Sequence, residues 1–131
     1  MMAMRILKID HINIRTPLFE ETLRFYEDCL GMKRGPAGSV HGRPQNLWLY
    51  ADGVPMIHVN GPTGDEVVAD IGVKSRLDHF ALSCTGLAQW RAHLTAQGVE
   101  FREARLQGRE VTQLNLLDPN GVKIELQFAE I

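Results

Sequence analysis

A chain of 131 residues, 44% hydrophobic and 23% charged, has the length and composition of one folded domain, able to bury roughly two-thirds of its unfolded surface without disulfides or a structural metal. A formal charge of -2, with no run of five like charges, excludes nucleic acid as a partner. The opening residues Met1 to Lys8 lack a signal-peptide apolar core and no apolar stretch reaches membrane-spanning length, so the expected location is the reducing cytoplasm, with Cys29 and Cys84 as free buried thiols.

The first strand pattern is Asp10-His11-Ile12-Asn13-Ile14. A helix is predicted from Pro17 and Glu20 to Leu30, where Phe19, Leu23, Tyr26 and Leu30 recur at three- and four-residue steps and Gly31 is the stop. Residues 36 to 45 read as a Gly- and Pro-rich mobile loop containing His41. Strands follow over Asn46 to Tyr50 and Pro55 to Asn60, joined at Asp52-Gly53.

Residues 61 to 75 have no clear period and read as a connector. Then the pattern repeats: Asp78-His79-Phe80-Ala81-Leu82 echoes the first strand at an offset of 68, a helix is predicted over 86 to 97 with Gly98 as its stop, and strands follow over Glu110 to Leu117 and Val122 to Phe128, separated by Asp118-Pro119-Asn120-Gly121. The organisation expected is a single domain over 1–131, with one module at 5–60, a linker at 61–75 and a second module at 76–131. Each module is a strand, a helix and about three strands.

Alternation along a strand decides what each histidine can touch. Ile12 and Ile14 oppose His11 and Asn13; Phe80 and Leu82 oppose His79 and Ala81; Ile57 and Val59 oppose His58; Ile124, Leu126 and Phe128 oppose Glu125. The apolar face packs on the helices and the four ligand-capable side chains share the other. A polar face turned to water accounts for any one of them. Three imidazoles and a carboxylate at two pairs of repeat-matched positions point instead to a divalent metal with open positions for substrate, as Zn2+, Fe2+, Mn2+, Ni2+ or Co2+ would accept. Convergence requires the two half-sheets to curve together or to pair across two subunits. His41 in the loop and His93 on the second helix are expected at the surface.

Four segments resemble one known family: the two Asp-His strands, Phe25-Tyr26-Glu27-Asp28-Cys29-Leu30-Gly31-Met32, and Asp118-Pro119-Asn120-Gly121-Val122-Lys123-Ile124-Glu125-Leu126. Together they are similar, over nearly the whole chain, to the vicinal oxygen chelate superfamily, the glyoxalase, bleomycin resistance and extradiol dioxygenase group. The resemblance implies an α+β fold of two βαβββ modules forming a curved, mostly antiparallel sheet around a metal cleft. It carries the metal ligands onto His11, His58, His79 and Glu125, and it implies a homodimer whose sites lie between modules of different subunits.

The implied chemistry is a Lewis-acid metal holding the oxygens of a small substrate. An extradiol dioxygenase needs two histidines and one carboxylate on iron(II), which His11, His79 and Glu125 supply; His58 is then a proton-transferring residue, and His58 and Glu125 are the candidate catalytic residues. Glyoxalase I members carry a carboxylate at the position of His58. Fosfomycin-modifying thiol transferases need a cationic cradle, for which Arg105, Arg109 and Lys123 are the candidates. A branch that has lost its metal and sequesters antibiotics is disfavoured by the retention of all four groups. Trp48, Tyr50 and Phe101 are candidates for lining a site for a planar substrate.

Overall fold

The computed structural model describes residues 3–36, 45–62, 64, 77–106 and 110–129. Its elements are β1 (Ile12–Arg15), α1 (Phe19–Asp28), β2 (Lys33–Pro36), β3 (Asn46–Ala51), β4 (Val54–Asn60), β5 (His79–Cys84), α2 (Leu87–Ala96), β6 (Arg102–Leu106), β7 (Val111–Leu117) and β8 (Lys123–Phe128). The order βαβββ occurs twice. The expected connector, apart from residues 61, 62 and 64, lies outside the described residues, as do positions 37–44 of the expected loop with His41, and Arg109.

Two four-stranded sheets result, ordered β1-β4-β3-β2 and β5-β8-β7-β6. In each, the first strand pairs parallel with the last, β1 with β4 and β5 with β8, and the other two pairings are antiparallel. The parallel pairings are possible because a helix and two further strands separate the partners in sequence. Asp52 and Gly53, at φ 51° and 75°, make the tight β3–β4 turn as expected, since a two-residue hairpin loop of this type needs positive φ at both positions.

The helices form where the apolar stripe predicts. In α1, Phe19, Leu23 and Tyr26 are buried, and Glu20 and Glu21 sit in the first turn, where the helix dipole favours negative charge. The Thr16 hydroxyl accepts the Leu18 N–H at 2.9 Å and starts the turn. At the end of α2, Gly98 takes φ +71°, while the N–H groups of Gly98 and Val99 bond the carbonyls of Thr95 and Leu94 at 3.0 Å. That left-handed residue closes the helix.

The alternation read from the sequence is observed. Ile57, Val59, Ile124, Leu126 and Phe128 are fully buried, and they join Ile14, Leu23, Tyr26, Leu49, Leu94 and Leu114 in one core spanning both modules. Polar contacts tie the modules as well. Asp118 Oδ1 accepts the N–H groups of Asn120 and Val122 at 2.8 and 2.9 Å, fixing the β7–β8 turn. Tyr26 donates its hydroxyl to Asp118 Oδ2 at 3.0 Å, Asn120 Nδ2 donates to Thr22 at 2.9 Å, and Thr16 bonds Asn120 Oδ1. His93, expected at the surface, is partly exposed, and its Nε2 donates to the Asp28 carbonyl at 2.9 Å, using a helix-end acceptor that α1 leaves open. Among the described residues, no helix is long and apolar enough to cross a membrane.

Candidate metal centre

Strand register puts the candidate ligands where parity predicted. In the first module Asn13 pairs with His58, and His58 with Trp48, so these three side chains share the face opposite the helices. The His58 imidazole stacks on the Trp48 indole, 4.6 Å between centroids and 5° between planes. Its Nε2 is hydrogen-bonded to Oδ1 of the buried Asn46. His11 stands one residue before β1 and meets the same indole edge-on, at 4.7 Å and 68°. Its Nδ1 donates to Asp10 at 2.8 Å.

The second module repeats the design with a carboxylate in place of His58. His79 Nδ1 donates to Asp78 at 2.8 Å, and His79 Nε2 faces Glu125 Oε1 at 3.3 Å. Gln113 donates to Glu125 Oε2 at 3.1 Å, with Gln127 at 3.5 Å. Lys123 Nζ lies 3.6 Å from Oε1. Glu125 is buried, 8% exposed, although it lies off the helix-packed face.

This pair fits a cation. A neutral His79 that donates from Nδ1 to Asp78 turns its Nε2 lone pair toward the lone pairs of Glu125 Oε1, which repel it. Either a proton or a metal ion belongs between the two atoms. The plainer alternative is an imidazolium bridging two carboxylates. Bonds of about 2.1 Å to one divalent ion, at angles of roughly 90–110°, separate two donor atoms by about 3.0–3.4 Å, which includes the observed 3.3 Å. Asp10 and Asp78 hold the Nδ1 side of both histidines, which leaves Nε2 as the nitrogen a metal would take, as in carboxylate-supported metal ligands.

The structure brings together His79 with Glu125, and sets His11 and His58 against Trp48. It does not gather all four within one chain: among the described residues, no group of three or more His, Cys, Asp or Glu side chains is placed to hold a metal. Sequence reasoning missed Asn46 and Gln113, which bond His58 and Glu125; the only signal available was that the repeat also relates these two positions.

Beside the second half lies an open cleft of about 910 Å³, between Phe25 of α1 and the segment Gly98 to Arg102, reaching Asn115, Leu117 and Lys123. Phe101, expected to line a site for a planar substrate, lines this cleft, to which none of His11, His58, His79 and Glu125 contributes. Trp48 serves the histidines instead, and Tyr50 lies over Gly35, where an added Cβ would come within 2.5 Å of its ring.

The model of the Glyoxalase/Bleomycin resistance protein/Dioxygenase superfamily matches residues 8–126, and the chain belongs to that superfamily. Among solved structures it is similar to a putative glyoxalase family protein from Bacillus anthracis, with 22% identity over 97% of this chain and 98% of that one and a TM-score of 0.74. It is also similar to a genomically encoded fosfomycin resistance protein from Listeria monocytogenes, with 16% identity over 95% and 94% of the chains and a TM-score of 0.68. A lactoylglutathione lyase from Agrobacterium tumefaciens follows, with 14% identity over 92% of each chain and a TM-score of 0.66. At these identities the likenesses establish the fold. No curated protein matches significantly.

Proposed function

We propose that this protein is a divalent-metal-dependent enzyme acting on a small organic substrate through neighbouring oxygens, with His11, His79 and Glu125 as metal ligands and His58 as the proton-transferring residue. The observation that carries this reading is the His79–Glu125 pair, with its supported Nδ1 and a 3.3 Å separation that matches two ligands of one divalent ion. A divalent metal bound there would polarise the substrate's oxygens as a Lewis acid. The chain's own residues do the rest. Asp10 and Asp78 orient the two imidazoles, and Glu125 offers Oε1 while Gln113 occupies Oε2. His58, tied through Nε2 to Asn46, would serve as a fourth donor in reserve and as acid or base once the centre is assembled.

Because no three candidates cluster within one chain among the described residues, the centre is completed by a second copy, His11 and His58 of one chain facing His79 and Glu125 of the other. Fully or largely exposed Met4, Ile6, Leu7 and Ile9 precede His11, and exposed Leu77 precedes His79. Apolar side chains flanking both ligand histidines support a homodimer that removes them from water.

A two-histidine, one-carboxylate face suits iron(II) and ring cleavage of a catechol-like substrate by oxygen. A second reading, a lyase, isomerase or thiol transferase using zinc, nickel, manganese or cobalt, is favoured by Lys123, whose ammonium 3.6 Å from Glu125 suits an anionic substrate. The metal decides between them. Elemental mass spectrometry of protein purified without chelators tests the reading: near-stoichiometric iron supports the dioxygenase, another divalent metal supports the second reading, and no metal even when offered moves the protein to the ligand-sequestering branch. The proposed location is the cytoplasm.

A further inference from the structure

The two modules repeat more than their candidate ligands. His58 and Glu125 stand 67 residues apart (58 to 125), and so do Asn46 and Gln113 (46 to 113). Each of these carboxamides sits on the strand antiparallel to its module's last strand, and each bonds the ligand-bearing residue there: Asn46 Oδ1 with His58 Nε2, and Gln113 Nε2 with Glu125 Oε2 at 3.1 Å. Both are buried, at 8% and 9% exposure. A leucine or methionine would fill either place without a polar group to satisfy. Asn46 is the more telling case, because its Nδ2 is buried with no hydrogen-bond partner among the described residues, a burden that packing alone gives no reason to carry.

The two contacts divide the labour. By holding Oε2, Gln113 leaves Oε1 as the oxygen facing His79, so Glu125 is set to bind through one oxygen. By engaging Nε2, Asn46 fixes the His58 ring in the plane that stacks on Trp48. A rotation of His58 about its side chain would break both contacts at once.

We propose that Asn46 and Gln113 are repeat-related positioning residues, one orienting His58 and the other selecting the oxygen that Glu125 presents. The Gln113 half rests on the metal-centre reading above; the Asn46 half is read without metal. Cobalt(II) is the probe for the first. Titrated calorimetrically into the wild-type protein and into Gln113→Leu, it should bind the variant 10–100-fold more weakly, with an altered visible spectrum and an unchanged circular dichroism spectrum. Gln113→Met serves if the leucine variant does not fold.

For the second half, proton NMR of the metal-free wild type should show the His58 ring protons shifted upfield by the indole stacked on them. Asn46→Leu should remove most of that shift while the other imidazole signals stay in place. Unaltered cobalt binding in the folded Gln113 variants, or an unaltered His58 signal in Asn46→Leu, overturns the proposal for that residue. A wild type that takes up no cobalt sinks the metal-centre reading and the Gln113 half with it, while the NMR result still decides Asn46.

Discussion

Replacing Tyr26 with phenylalanine isolates one bond between the modules. The ring is fully buried, and its hydroxyl donates to the buried Asp118 at 3.0 Å, 92 positions along the chain. Phenylalanine keeps the packing and removes a hydrogen bond to a carboxylate, a loss of about 1.5–3 kcal/mol. With an unfolding entropy of roughly 2.1 cal/mol/K per residue, each kcal/mol moves the melting temperature of a chain this long by about 3.6 °C, so Tyr26→Phe should melt about 5–11 °C lower. The pH profile is a second readout. Burial first, then the Asp118 charge and hydrogen bond, push the Tyr26 hydroxyl well above the usual tyrosine range. The folded chain therefore keeps a proton that the unfolded chain releases near pH 10. Its contribution is complete below about pH 10 and declines as the pH rises further, because the folded state then binds more protons than the unfolded state. Scanning calorimetry between about pH 8 and 11 should show the two proteins converging at the alkaline end. A melting difference below about 2 °C at pH 8, or parallel profiles, would refute the assignment of that bond.

Other perturbations have equally definite outcomes. Ile124→Asp puts an unpaired charge at a fully buried β8 position and should leave no cooperative thermal transition; a folded variant would mean that β8 faces the other way. Glu20→Gln disturbs the exposed Arg34 network, in which hydrogen bonding to Arg34 lowers the Glu20 carboxyl. Any stability it confers is present above about pH 4.3 and lost as that carboxyl protonates in acid. Urea titration should find the change below about 1 kcal/mol at neutral pH. Burial raises both the Cys29 and the Cys84 thiol, with Asp28 adding to the effect at Cys29. At pH 8 both should react with a disulfide reagent at least about ten-fold more slowly in folded than in urea-unfolded protein, and equal rates would contradict their packing. Mixing His11→Ala with His79→Ala protein in equal amounts tests the shared centre: if two copies share each site, mixed dimers keep one complete site of two and the mixture should regain about a quarter of the wild-type metal, whereas sites contained within single chains would regain none.

Much of the fold is legible because strand alternation and helix spacing are local signals. The repeated Asp-His strands, the stripe through Leu23 and Tyr26, and the apolar parity of Ile57, Val59, Ile124 and Leu126 each follow from neighbours a few residues away. The edge strands β2 and β6 were not located. Lys33-Arg34-Gly35-Pro36 carries no apolar alternation, and it is extended because it pairs with β3, a partner that local pattern does not reveal.

The site was legible in its residues but not in its assembly. That His58 and Glu125 each lie opposite the apolar side of their own strand follows from parity. That Asn46 reaches His58 depends on a hairpin register that shifts at Leu49/Tyr50, so it does not follow from counting back from the Asp52-Gly53 turn. A sequence repeat also matches positions without saying whether two modules face each other in one chain or across two. His93 shows the same limit, since its partner is a carbonyl at the end of the other helix.

The most direct test is the metal content of chelator-free wild-type protein beside Glu125→Ala, measured by elemental mass spectrometry with circular dichroism as a control for folding. The account predicts close to one divalent ion per chain in the wild type and its loss from a still-folded variant. Full metal occupancy in Glu125→Ala, or a wild type that holds none and takes up none when offered, would contradict it.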